Sequence, residues 1–174
     1  MTQELYQKAI RFAGAKHAKQ QVPGTKTNYL AHVSNVAMEV MLAHAQQPDF
    51  DLDFAVQLAL LHDTLEDTDT DMLELIELFD GPVAFGVSAL TKDENLPKEK
   101  RMQDSLDRIK TFPREVALVK LADRITNLQQ PPEFWTEEKV EAYKKEASLI
   151  LVELAGSCDY LEDRLIRKIE VYRR

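Results

Sequence analysis

The stretch LALLHDTLEDTDT, Leu58 to Thr70, sets a histidine and four acids directly behind an apolar run. His62 and Glu66 are four apart, as are Asp63 and Asp67, so on a helix each pair shares one line of the surface. His62 falls at the edge of the stripe made by Phe54, Leu58, Leu61 and Leu65. The four polar residues therefore form a band bordering the core at a helix end. Carboxylates there face the negative end of the helix dipole, so helix stability does not explain them. A second stretch, LVKLADRITNL, puts Asp123 and Asn127 in line with Val116 and Val119, while Leu118, Leu121, Ile125 and Leu128 form another stripe. A helix apolar on two sides is buried, so Asp123 is expected to point inward, where a carboxylate needs a cation or a proton. His32, in NYLAHVSNVAMEV, precedes Val36 and Val40 on a third inward stripe.

Two imidazoles and two carboxylates suit a divalent metal of intermediate hardness: manganese, iron, cobalt or zinc. Calcium takes more oxygen ligands, and structural zinc takes cysteines. Four protein ligands leave coordination positions open, where a bound water loses its proton more easily. Blander readings stand beside these. An arginine could pair with Asp123, and His32 could be a satisfied core histidine, as His17 and His44 are read to be core or surface residues. The DTDTD run is read as the entry to the next helix, capped by Asp69 or Thr70.

These groups need helices to hold them, and apolar residues recur at three and four along the chain. Eight or nine helices are predicted, near 3–19, 30–46, 52–66, 71–79, 82–91, 98–110, 114–128, 136–155 and 158–172. Proline or glycine marks the breaks at 22–28, 46–51, 80–82, 94–97, 111–113 and 129–133. Such short connections fit one all-α bundle, a single domain over residues 1–174.

The 174 residues carry a net charge of −8, which argues against a nucleic-acid polymer as partner. From Thr27 to Thr91 there is no lysine or arginine, yet the stretch holds 12 of the 30 acids and three of the four histidines. A solvated acidic face or a cation site would both explain this. No apolar run is long enough to span a membrane, and the start MTQELYQKAIRF lacks a signal-peptide core. The one cysteine, Cys158, is read as a buried structural thiol. A cytoplasmic location is the expectation, as monomer or homodimer, with the apolar faces of 136–155 and 158–172 available for pairing.

A lone His, a His-Asp pair and a distant Asp together resemble the HD-domain metal-dependent phosphohydrolases. LLHDTLEDTDT and LVKLADRITNL look like the hydrolase half of RelA/SpoT proteins, where a Glu-Asp pair follows His-Asp by one turn. ALTKDENLPKEKR and PPEFWTEEKVEAYKKEA resemble the stand-alone small alarmone hydrolases, which include the metazoan SpoT homologues. The resemblance implies that His32, His62, Asp63 and Asp123 bind Mn²⁺. It also implies that Glu66 and Asp67 orient or deprotonate the attacking water. The reaction would remove the 3′-pyrophosphate of (p)ppGpp, giving GDP or GTP. Asn127 would contact the nucleotide, and Lys98, Lys139 and Tyr143 would surround its phosphates and sugar.

The chain departs from the family before the first histidine. Gln21-Val22 stands where the family has a basic pair that packs on guanine, Asn28 precedes Tyr29, and Val33 follows His32. Two other functions therefore stay open: phosphohydrolysis of a different nucleotide, such as a deoxynucleotide or phosphorylated dinucleotide, and an inactive nucleotide-binding module.

Overall fold

The computed structural model describes residues 1–173. Among them the chain forms α1 (Thr2–Lys16), α2 (Leu30–Gln46), α3 (Leu52–Leu61), α4 (Thr64–Asp67), α5 (Met72–Phe79), α6 (Gly81–Leu90), α7 (Lys98–Ile109), α8 (Arg114–Asn127), α9 (Glu137–Glu153) and α10 (Asp159–Val171). The all-α expectation holds. Extended pairing among the described residues is limited to one isolated bridge, Gln21 with Asn28. No helix there is long and apolar enough to cross a membrane.

Helix α3 lies at the centre, packed against α1, α2, α6 and α8. Its residues from Ala55 to Leu61 are all buried, with Leu58, Leu60 and Leu61 wholly so. Each buried leucine of this kind contributes about 1.5–3 kcal/mol relative to leaving it in water. Helix α8 is equally enclosed, buried from Glu115 to Thr126, as its two apolar stripes require. Gly86 lets α6 lie on α3, because a Cβ built there would sit 2.7 Å from a Leu58 methyl carbon. Gly86→Ala is expected to lose about 1–2 kcal/mol, the overpacking cost less the helix-propensity gain of about 0.5–1 kcal/mol. Urea unfolding at constant m-value would measure it, and an unchanged midpoint would show that the helices separate freely.

The expected helix over 52–66 is two segments. Helix α3 stops at Leu61, and α4 resumes only at Thr64. Two side chains take over the carbonyls that the helix abandons. His62 Nδ1–H donates to Ala59 O at 2.9 Å, and Thr64 Oγ1 donates to Leu61 O at 2.7 Å. The cap of α5 also differs from expectation. Asp71 accepts from Glu74 N at 2.9 Å, while Asp69 pairs with Lys16 and Thr70 shares a hydrogen bond with Thr68. Cys158 is buried as read, its thiol 3.1 Å from Gln47 Oε1.

Candidate active site

The stop between α3 and α4 turns His62 and Asp63 toward α2 and α8. His62 Nε2 lies 3.4 Å from His32 Nε2, and Asp123 Oδ1 lies 3.3 Å from His32 Nε2 and 3.6 Å from His62 Nε2. Ligand atoms of His32, His62 and Asp123 fall within 4.8 Å of one another, all three residues buried. Asp63 Oδ2 joins from one side, 2.9 Å from His62 Nε2 and 3.6 Å from His32 Nε2. Tyr29 OH holds it there with a 2.5 Å hydrogen bond.

The donor set fits a divalent cation for a reason visible in His62. Its Nδ1 proton is committed to Ala59 O, which leaves the Nε2 lone pair aimed into the cluster. Burial lowers the affinity of both imidazoles for a proton, yet the carboxylates outweigh it. His62 ends well above its ordinary pKa through Asp63 and Asp123, and His32 is raised through the same pair. Burial works to raise the Asp123 pKa, but His32, His62 and Lys120 hold it well below the usual range. The cluster thus demands positive charge, whether protons or a metal. The arginine considered for Asp123 is not its partner. Arg124 turns away to Glu146 at 2.5 Å and to the Tyr143 ring at 4.3 Å, and Lys120 Nζ approaches Asp123 at 3.6 Å instead.

Glu66 and Asp67 stand in the one turn of α4, each held by a distant segment. Lys92 donates to Glu66 twice, from its backbone nitrogen at 3.0 Å and from Nζ at 2.7 Å. Gln20 Nε2 donates to Asp67 Oδ2 at 2.8 Å. Burial raises the Asp67 pKa against that hydrogen bond, and the charges of Asp63 and Glu66 add to the rise. Such a carboxylate is a better proton acceptor than an ordinary aspartate.

Beside His32 a cleft of about 270 Å³ opens between the loop after α1 and the loop after α8. Asn127 and Tyr143 line it, with Val22, Thr126, Gln129 and Trp135. Asn127 also donates to Asp123 at 2.5 Å, which ties the cleft to the cluster. Burial is the main cause that pushes the Tyr143 phenol up to about 12, so it stays a neutral hydrogen-bond donor near pH 7. Lys139 reaches the rim, its Nζ 4.2 Å over the Trp135 ring. Lys98 lies outside this lining, exposed at the first residue of α7. Sequence reasoning passed over Tyr29, Gln20 and Lys92. The one signal for them was that Lys92 is the first base after the base-free stretch.

A helical bundle with this His, His-Asp and Asp cluster is the arrangement of the HD domain, whose family profile matches residues 9–159. The chain belongs to that family. Within it, the chain is 34% identical over 161 residues to guanosine-3′,5′-bis(diphosphate) 3′-pyrophosphohydrolase MESH1 of Danio rerio, covering 90% of this chain and 87% of that protein. It is likewise 34% identical to MESH1 of Homo sapiens, over 90% of this chain and 88% of that one. A solved structure of a metazoan ortholog of SpoT that hydrolyzes ppGpp superposes with a TM-score of 0.81 at 27% identity, covering 95% of this chain and 94% of that one.

Proposed function

We propose that this chain removes the 3′-pyrophosphate of guanosine tetra- or pentaphosphate, with His32, His62, Asp63 and Asp123 holding a divalent metal, Mn²⁺ in the first instance. The observation that carries this reading is the convergence of the buried ligand atoms of His32, His62 and Asp123. The likeness to MESH1 enzymes over nearly the whole chain supports the substrate. A metal bound there supplies a Lewis acid that acidifies a water and neutralises charge on a phosphate oxygen.

The chain's own groups do the rest. His62 keeps its Nε2 free through the Ala59 hydrogen bond, and Tyr29 fixes Asp63. Asp67 takes the water's proton, and Glu66 orients the water while gripped by Lys92. Lys92, with Lys120 beside Asp123, brings positive charge to a site rich in carboxylates, which an anionic substrate needs. Asn127 and Tyr143 receive the nucleoside from the cleft side, Lys139 stands at the rim, and Lys98 offers charge from outside it. A nucleotide small molecule is then the partner, and the enzyme works in the cytoplasm.

One feature favours a second reading, in which the same centre serves another nucleotide. The cleft presents Val22 where the resemblance places one of the base-packing cations. Incubating ppGpp with purified protein and Mn²⁺, with and without chelator, separates the cases. Metal-dependent GDP and pyrophosphate are expected. Tight metal binding without turnover would move the substrate to another nucleotide, and nucleotide binding without any phosphate release under any divalent metal would leave a binding module.

A further inference from the structure

His17 is wholly buried at the C-cap of α1, and the reaction as described makes no use of it. Its environment can be read outward from Asp67. An ionised carboxylate only accepts hydrogen bonds, so Gln20 must turn its NH₂ toward Asp67 Oδ2, 2.8 Å away. The Gln20 amide oxygen then faces His17 Nδ1 at 2.6 Å, and that nitrogen must carry the proton. His17 Nε2 is left buried with no partner. Packing alone would favour an apolar residue in that place, since the orphaned nitrogen is a cost.

The ring itself is wedged behind the metal cluster. It lies 4.9 Å from the Tyr29 ring, which lies 5.0 Å from the His32 ring. The segment between is closed by backbone bonds, Tyr29 N to Gln20 O at 3.0 Å and Val22 N to Thr27 O at 2.9 Å. These bonds hold the Gln20 backbone in place, and His17 Nδ1–H holds the end of its amide that faces away from Asp67.

We propose that His17 is a positioning residue for hydrolysis: through Gln20 it holds the Asp67 carboxylate in the orientation that accepts the water's proton. This rests on the proposed role of Asp67. His17→Phe keeps a ring against Tyr29 and deletes the donor, whereas His17→Asn keeps an N–H near the Nδ1 position. With ppGpp and Mn²⁺, His17→Phe is expected to lower kcat about 10-fold, the lower end of the roughly 10–100-fold that outer partners of metal ligands are worth. KM and bound metal should stay within about twofold, and His17→Asn should restore kcat to within about threefold. Gln20→Leu, at a half-buried position, should match His17→Phe, and the double variant should be no worse than either single one, since both break the same chain.

Unchanged kcat in His17→Phe, multiplied losses in the double variant, or a fall in bound metal that tracks the fall in kcat would each overturn the proposal. Should His17→Phe fail to fold, Gln20→Leu and Gln20→Asn carry the test, with full kcat in Gln20→Leu as the contrary result. Asp67→Asn separates the two levels: full activity there removes both the role of Asp67 and this proposal, while a large loss there with none in His17→Phe removes the proposal alone. If the wild type leaves ppGpp intact, the substrate reading fails. The same variants are then compared on bis(p-nitrophenyl) phosphate.

Discussion

Replacing Asp123 by alanine is expected to yield a folded protein that neither retains a divalent metal nor turns over substrate. Asp123 contributes the atom that closes the set with His32 and His62, and it is the carboxylate nearest Lys120. Without it the two Nε2 atoms, 3.4 Å apart, have only Asp63 to balance a bound cation. Losing an outer partner of a metal ligand costs roughly 10–100-fold in affinity, and losing a ligand should cost more. His62→Ala should behave alike. Metal analysis after gel filtration and a thermal scan with and without Mn²⁺ check this. At a metal concentration of about 100 times Kd the wild type should gain about 2.7 kcal/mol of stability. The variants should gain none. A wild-type metal shift in Asp123→Ala would remove that residue from the ligand set. Asp123→Asn, which keeps the shape and the Asn127 contact while losing the charge, distinguishes a missing ligand from a collapsed pocket.

Glu66→Gln is the second large effect, and its signature is the opposite one. The side chain keeps its length, α4 keeps its turn, and none of the four proposed ligand residues is touched. The glutamate, however, accepts from Lys92 with both oxygens, 3.0 and 2.7 Å away. A glutamine can offer only one oxygen, and its NH₂ then faces a second donor, so the grip on Lys92 loosens. The negative charge proposed to orient the attacking water toward Asp67 is lost as well. Bound metal is expected to stay at the wild-type level while kcat falls about 10²–10⁴-fold, the range for a proton-transfer step, here one that depends on the water Glu66 orients. Lys92→Met separates the two contributions. A loss equal to that of Glu66→Gln would reduce Glu66 to an anchor for Lys92, and a smaller loss would leave it a part in the chemistry. Metal depletion in Glu66→Gln as deep as in Asp123→Ala would sink the division of roles between the two residues.

How far such roles were visible beforehand differs residue by residue. Helix 30–46 was read to the residue, because apolar positions recur at the helical period between clear breakers. Asp123 was read as inward because the helix around it is apolar on two sides, and it is buried. The run 52–66 was read as one helix because the residues on either side of the stop keep the same spacing. What divides it is a pair of side-chain hydrogen bonds, from His62 and Thr64, that periodicity does not contain. Asp71 displaced Asp69 and Thr70 as the α5 cap for a similar reason. All three residue types can cap, and the choice depends on where Lys16 of α1 draws Asp69.

What the sequence determined by itself was the chemistry of the candidate ligands and their helical register: which residue types can bind a cation, and which of them a buried helix must turn inward. Both are local properties, set by side-chain chemistry and the 3.6-residue turn. The tertiary structure alone decided the partners. Tyr29 meets Asp63 across 34 positions, Gln20 meets Asp67 across 47, and Lys92 meets Glu66 across 26. No periodicity reaches over such separations. They arise from how closely the helices pack, down to the single missing Cβ at Gly86 that lets α6 settle on Leu58.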